Sequence, residues 1–344
     1  MMVTIQDVAR VAGVGVGTVS RVLNHHPGVR SETRKRVLDA IEQLHFTPNP
    51  IARSMISKRT DFIGVMIPYF TRPFQNEMLR TIQHELALLH KELIIYNVES
   101  LSQRDYYFSE MPMHRKVDGL LIISLIIEEP YALKFCELGF PAVLIDAYSP
   151  HLTSLVVENM DGAYQAVRCL IAQGHQRIGF INGIKDGDFK FNQANDRLIG
   201  FHRALGEAQL LFDPELVIAS EWNRHAAQDA ALRLLTREPR PSAIFTASDM
   251  QALGVLEAAR ILHITVPAEL SVMGFDGIEL GELFGLSTVQ QPIHELGVLG
   301  IKKLIELIEH PYQSSELIRL PTRLVERRTT MANTSAAPDT STHT

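Results

Sequence analysis

Between residues 61 and 275 the chain alternates short apolar runs with helical segments. DFIGVMI, ELIIYNV, GLLIIS and AVLID are followed by RIGFIN, LVIAS, AIFTA and LSVMGF. Helical segments fall near 74 to 90, 103 to 116, 130 to 138, 160 to 173, 193 to 209, 224 to 235 and 249 to 263. A strand buried on both faces reads as a continuous apolar run, and parallel pairing needs a crossover, usually a helix. The rhythm therefore predicts βαβ units arranged as two successive doubly wound α/β lobes. At 344 residues, 46% hydrophobic and 21% charged, the chain has length for two or three domains. No run reaches the length of a membrane span, and the basic-then-apolar start of a signal peptide is missing, so a cytoplasmic protein is expected. Cys136 and Cys169 are isolated and are expected to be reduced, buried thiols.

The first sixty residues obey a different pattern. In TIQDVARVAGVGVGTVSRVLN, residues 4 to 24, Thr4 and Asp7 have capping-box spacing, and Ile5, Val8, Ala9 and Ala12 recur at helical spacing. Gly13 stops that helix, because glycine reaches positive φ without a steric penalty. A second run sets Val16, Val19, Val22 and Leu23 against Thr18, Ser20, Arg21 and Asn24. Two short helices joined by a glycine-containing turn predict either a helix-turn-helix or a plain helical hairpin. Ser31 to Leu44 reads as a third helix, with Val37, Leu38, Ile41 and Leu44 on its core face. Asn49 and Pro50 suit the start of a further short helix, too short to be stable alone. Charge singles out the same segment. Residues 1 to 60 carry nine Lys or Arg and four acids, a net +5, which leaves −11 on the remainder of a −6 chain. A basic head on an acidic body suits phosphate contact at one end.

The wording of these stretches resembles the lactose-repressor/galactose-repressor (LacI/GalR) family. The resemblance starts with TIQDVARVAGV and TVSRVLN, continues through VRSETRKRV and PNPIARSM, and reaches LVERRTT at 324 to 330. It implies a headpiece over 1–46 and a hinge helix and linker over 47–60. It also implies an effector-binding and dimerisation domain over 61–330 of periplasmic-binding-protein type. Lobe 1 would take about 61–158 and 291–318, and lobe 2 about 159–290 and 319–330. Residues 331–344 lack periodicity and read as a disordered tail without a coiled-coil heptad.

By the same resemblance Thr4, Val16, Gly17, Thr18, Ser20, Arg21 and Asn24 contact DNA, with Val16, Gly17 and Arg21 facing base edges. Arg30 replaces the serine that usually caps the third helix and is free to reach a phosphate. Asn49, Ala52, Arg53 and Met55 belong to the hinge, Met55 standing in for a leucine wedge in the minor groove.

In open parallel sheets, ligands bind beyond the carboxyl ends of the strands. Tyr69, Asp146, Ser248, Asp249 and Asp276 follow or close such strands. Asp249 reads as a helix N-cap, whereas family positions make Asp146, Ser248 and Asp276 effector contacts. Arg197, Trp222 and Gln291 match further cleft positions. A surface ion pair for Arg197 and a core role for Trp222 are the alternatives. Tyr69 and Phe74 are cleft candidates that could equally be core. An arginine, two carboxylates and an aromatic face suit a polyhydroxylated, sugar-like effector, although a purine or nucleoside would also stack and bond.

GxSxG, P-loop and HExxH motifs are absent, and the fourteen histidines show no metal spacing with cysteine, so no enzyme, metal or cofactor is expected. The reading is a homodimeric, ligand-responsive repressor binding double-stranded operator DNA. A solute-binding protein for transport is the rival from another class.

Overall fold

A computed structural model describes residues 3–23, 26–46, 60–184, 189, 192–311 and 313–333. Asn24, the hinge positions Asn49, Ala52, Arg53 and Met55, and residues 334–344 lie outside them. The chain divides into two compact units, Met1–Asp61 and Phe62–Thr344.

The first unit is built on α1 (Ile5–Ala12), α2 (Val16–Leu23) and α3 (Ser31–Gln43). Thr4 caps α1 in a complete capping box with Asp7, as its spacing predicts. Gly13, at φ +64°, ends α1 in the left-handed region, and the Val14 N–H donates back to the Ala9 carbonyl at 3.0 Å. Val8, Ala9, Ala12, Val19, Val22, Val37 and Ala40 form the buried centre. Leu38 does not join it. It is 50% exposed, and the core face of α3 runs through Val37, Ala40 and Ile41 instead. Arg30 precedes α3 without any side-chain capping bond, as expected.

Among the described residues the second unit contains two six-stranded sheets. The chain runs through β1 (Phe62–Pro68), α4 (Pro73–Leu88), β2 (Glu92–Val98), α5 (Leu101–His114), β3 (Gly119–Ile123), α6 (Glu129–Glu137), β4 (Ala142–Ile145) and β5 (Thr153–Val157). It then crosses into α7 (Asn159–Ala172), β6 (Ile178–Gly183), α8 (Asn192–Glu207), β7 (Val217–Ser220), α9 (Arg224–Leu235) and β8 (Ala243–Thr246). There follow α10 (Asp249–Ile261), β9 (Ser271–Asp276), α11 (Glu279–Leu283) and β10 (Ser287–Gln290). The chain returns with α12 (Ile293–Glu309) and β11 (Leu317–Leu320), and crosses once more to β12 (Arg323–Val325).

The strand orders are β11-β5-β4-β3-β1-β2 and β12-β10-β9-β8-β6-β7. Every neighbouring pair is parallel except β10 with β12. Each sheet therefore carries the doubly wound 2-1-3-4-5 order, whose switch point lies beside its first strand. Side chains alternate between two cores. Ile63, Val65 and Ile67 of β1 pack on one face of the first sheet with Met78 and Ile82 of α4, whereas Met66 faces Phe108 and Phe135 on the other. In the second sheet Phe180 stacks on Phe201 and Phe245 at 5.0 and 4.9 Å.

β11 runs to Leu320, so the last crossing follows 320, close to its expected place. Two expectations need correction. Met331 and Asn333 of the expected tail are tied down. The Asn333 N–H donates to the Gln173 carbonyl at 2.6 Å, and the Met331 carbonyl accepts from buried His175, whose ring also meets the Ser242 and Ser271 hydroxyls. Cys136 is exposed and Cys169 half-buried, although both are free thiols. No helix among the described residues is long and apolar enough to cross a membrane.

Candidate functional site

In the first unit the candidate DNA contacts sit on a small rigid frame. Val19 and Val22 anchor α2 in the core, which leaves Val16 43% exposed and Gly17 and Arg21 in solvent. Thr18 and Ser20 are half-buried, Thr4 is exposed at the start of α1, and Arg30 is exposed before α3.

In the second unit a cavity of about 70 Å³ lies between the carboxyl ends of the two sheets, room for a few waters. Phe74, Asp146, Arg197, Trp222, Ser248, Asp276 and Gln291 all line it. Tyr69 does not. It packs into the first lobe's core, edge-on to Phe189 at 5.8 Å, and carries the Arg72 guanidinium over its ring at 4.0 Å. Arg72, Ser124 and Gln193 line the cavity and were not expected there.

The walls are shaped by unusual backbone at the strand exits. Tyr69, Ser124, Asp146 and Asp276 take φ of +49°, +50°, +56° and +117°. Non-glycine residues rarely adopt such angles unless their surroundings hold them there. For Asp276 the holding groups are visible. Gln291 donates its backbone N–H to the Asp276 carbonyl at 2.9 Å and its amide to Oδ1 at 2.8 Å. Asp249, fully buried, accepts the next two backbone N–H groups, of Gly277 and Ile278, on Oδ2 and the Thr288 hydroxyl on Oδ1. Asp249 is thus a brace for the Asp276 turn. The N-cap of α10 is Ser248, which accepts the Gln251 N–H, and not Asp249 as expected.

Arg197 is 2% exposed, which rules out a surface ion pair. Its Nε and Nη2 both donate to Asn159 Oδ1, at 3.0 and 2.8 Å, and Nη1 donates to the Ala247 carbonyl. Nη1 also stands 3.7 Å from Asp276 Oδ1, and the guanidinium lies 3.7 Å over the Phe275 ring. Asp146 accepts from the Ser124 hydroxyl at 2.9 Å and from the Gln193 amide, which joins the first lobe to α8 of the second. Burial pushes both cleft carboxyls up, Asp276 to about 7, against the pull of Arg197. Burial also lowers Arg197, which the surrounding carboxylates oppose. Trp222 reaches this group because Gly183 has no side chain. A Cβ there would collide with the indole ring, and the Arg197 guanidinium lies 5.6 Å from that ring.

A helix-turn-helix head and a two-lobed body with a polar cavity at its strand ends define a ligand-binding transcriptional regulator. Residues 4–49 match the model of bacterial regulatory proteins of the lacI family, and residues 167–330 that of the periplasmic binding protein-like domain. Catabolite control protein A of Priestia megaterium is 30% identical over 334 residues, 96% of this chain and 100% of that one. The ribose operon repressor of Halalkalibacterium halodurans is 33% identical over 332 residues, 96% and 97% of the two chains. The solved Lac repressor dimer, bound to operator and the anti-inducer ONPF, matches at a TM-score of 0.85 with 27% identity, covering 96% and 100%. The chain belongs to the lacI family of bacterial regulatory proteins. It is a DNA-binding transcriptional regulator of the repressor type.

Proposed function

We propose that this repressor works as a cytoplasmic homodimer without enzymatic activity, and that a sugar-like effector in the inter-lobe cavity sets its hold on operator DNA. The observation that carries the reading is the convergence of Arg197, Asp146, Asp276 and the Trp222 ring on one cavity drawn from both lobes. Carboxylates accept from hydroxyls, the arginine donates to ring or hydroxyl oxygens, and the indole covers an apolar sugar face. Relatives point the same way, one being a ribose operon repressor and another a Lac repressor dimer bound to operator. Edge strand β2 with its flanking helices supports pairing of two copies, since Leu88, Ile95 and Tyr106 are 64%, 41% and 62% exposed there.

In the head, Arg21 reads a guanine edge and Val16 meets a thymine methyl. In the body, a guest gripped by both lobes favours one closure, and it shifts DNA binding only by its differential affinity for the two. The test selects an operator from a random DNA pool. It then measures operator affinity with and without free sugars, for the native chain and for Trp222→Leu. A sugar should change the affinity of the native chain and not that of the variant. A response to purines alone, or to nothing, overturns the effector assignment.

A further inference from the structure

The turn that carries Asp276 to the cavity wall goes on to meet the first lobe. Ile278 is 1% exposed and lies in the buried cluster of that lobe, with Met78 and Ile82 of α4 and Ile293 and Leu296 of α12. Among the described buried members of the cluster, Ile278 alone comes from the second lobe. Met250 of α10, also from the second lobe, and Phe74 of the first pack against the cluster part-buried.

The backbone of this turn has little freedom. Asp249 Oδ2 accepts the N–H groups of Gly277 at 2.8 Å and of Ile278 at 2.9 Å. Gly277, at φ +75°, lies so close to Gln290 that a Cβ there would collide with it. One residue on, the Glu279 N–H donates to Glu77 Oε1 of α4 at 2.9 Å, and the Glu279 carboxylate stands 3.5 Å from Arg80 Nη1.

These ties between the lobes differ in weight. The Arg80 and Glu279 side chains are 70% and 78% exposed, and an ion pair in water contributes little. Burial pushes the Glu77 carboxyl up, against the bond from the Glu279 N–H. Ile278 has nearly its whole side chain out of water, and parting the lobes at this point returns it to water. Most of the hold therefore falls to Ile278.

We propose that Ile278 is a latch: seated in the core of the first lobe, it holds the two lobes together and sets how readily the cleft opens. A guest that touches both lobes binds the closed arrangement, so the fraction of molecules held closed scales its apparent affinity.

Trp222 lines the cavity and is the only tryptophan, so acrylamide quenching of its emission in the full-length protein reports opening. Ile278→Val, Ile278→Ala and Ile278→Ser weaken the latch stepwise. Ile82→Ala makes a hole in the same cluster but wholly within the first lobe. Circular dichroism selects the variants that are folded at the working temperature. The quenching constant should rise in the order Val, Ala, Ser, reaching at least twice the native value in Ile278→Ala, and should stay native in Ile82→Ala. If the Ser variant does not fold, the milder two decide. A native constant in every folded Ile278 variant overturns the proposal. So does an equal rise in Ile82→Ala, which marks a loosened core and not a parted cleft.

Discussion

The head and the body carry their functional side chains in opposite ways. In the head, Val16, Gly17 and Arg21 are exposed, and a centre of Val8, Val19, Val22, Val37 and three alanines lies behind them. In the body, Asp146, Arg197, Ser248, Asp276 and Gln291 are buried and bonded to one another, to neighbouring side chains or to backbone. An exposed side chain can be removed with little effect on folding. A buried charge cannot, because its partners stay behind without it. Function and stability are therefore separable in the head and joined in the body.

The sharpest way to break this contrast is Arg197→Ala. It strands Asp276, Asn159 and the Ala247 carbonyl, and the body should lose about 3–5 kcal/mol. Trp222, the only tryptophan, lies in the body, so its emission during urea unfolding reads that loss. An unchanged midpoint would end the claim that site and stability are joined there.

Asp276→Asn tests the same coupling through pH. The folded carboxyl is raised to about 7 from an ordinary 3.8. Its contribution is fully present below the ordinary value and is lost as pH rises through the folded one. The native body should lose stability more steeply than the variant between about pH 4 and about pH 8. Equal slopes would show that Asp276 titrates normally.

Val19→Ala opens a hole in the small centre of the head. About 2 kcal/mol should be lost there, along with operator binding, while the Trp222 transition stays in place. A shift in that transition would mean that the two units do not unfold separately.

Arg21→Ala should have the smallest effect on folding, under about 0.5 kcal/mol. It should nevertheless flatten base preference at one position in each half-site, worth about 1–3 kcal/mol of discrimination. Binding weakened equally on all sequences would make Arg21 a phosphate contact.

Strands buried on both faces were legible because each is a continuous apolar run. β5 (TSLVV), β10 (STVQ), β11 (LIRL) and β12 (RLV) were not read as strands. They are short, and most carry a polar residue within or beside the apolar ones, so composition alone does not separate them from loops. Seven of the eight expected cleft residues line the cavity. Tyr69 fails because the left-handed turn at that residue sends the chain on toward Arg72, which takes the place at the wall. Ser124 and Gln193 carry no periodic signal, and Gln193 acquires its role from Asp146, 47 positions earlier. One signal was readable and missed. Ser248 to Gln251, S-x-x-Q, is a capping pattern that identifies Ser248 as the cap.

The stretch 317–325 supplies one edge strand of each sheet, β11 beside β5 and then β12 beside β10. On a ribosome the three head helices have all been made by residue 43, but both lobes wait for the last part of the chain. Until it emerges, β5 and β10 present open edges, and open edges pair with whatever strand is nearby. A message that ends before residue 317 would therefore yield a head that can fold attached to a body with two unfinished sheets. Such a product is prone to clump with other nascent chains and does not supply one working lobe.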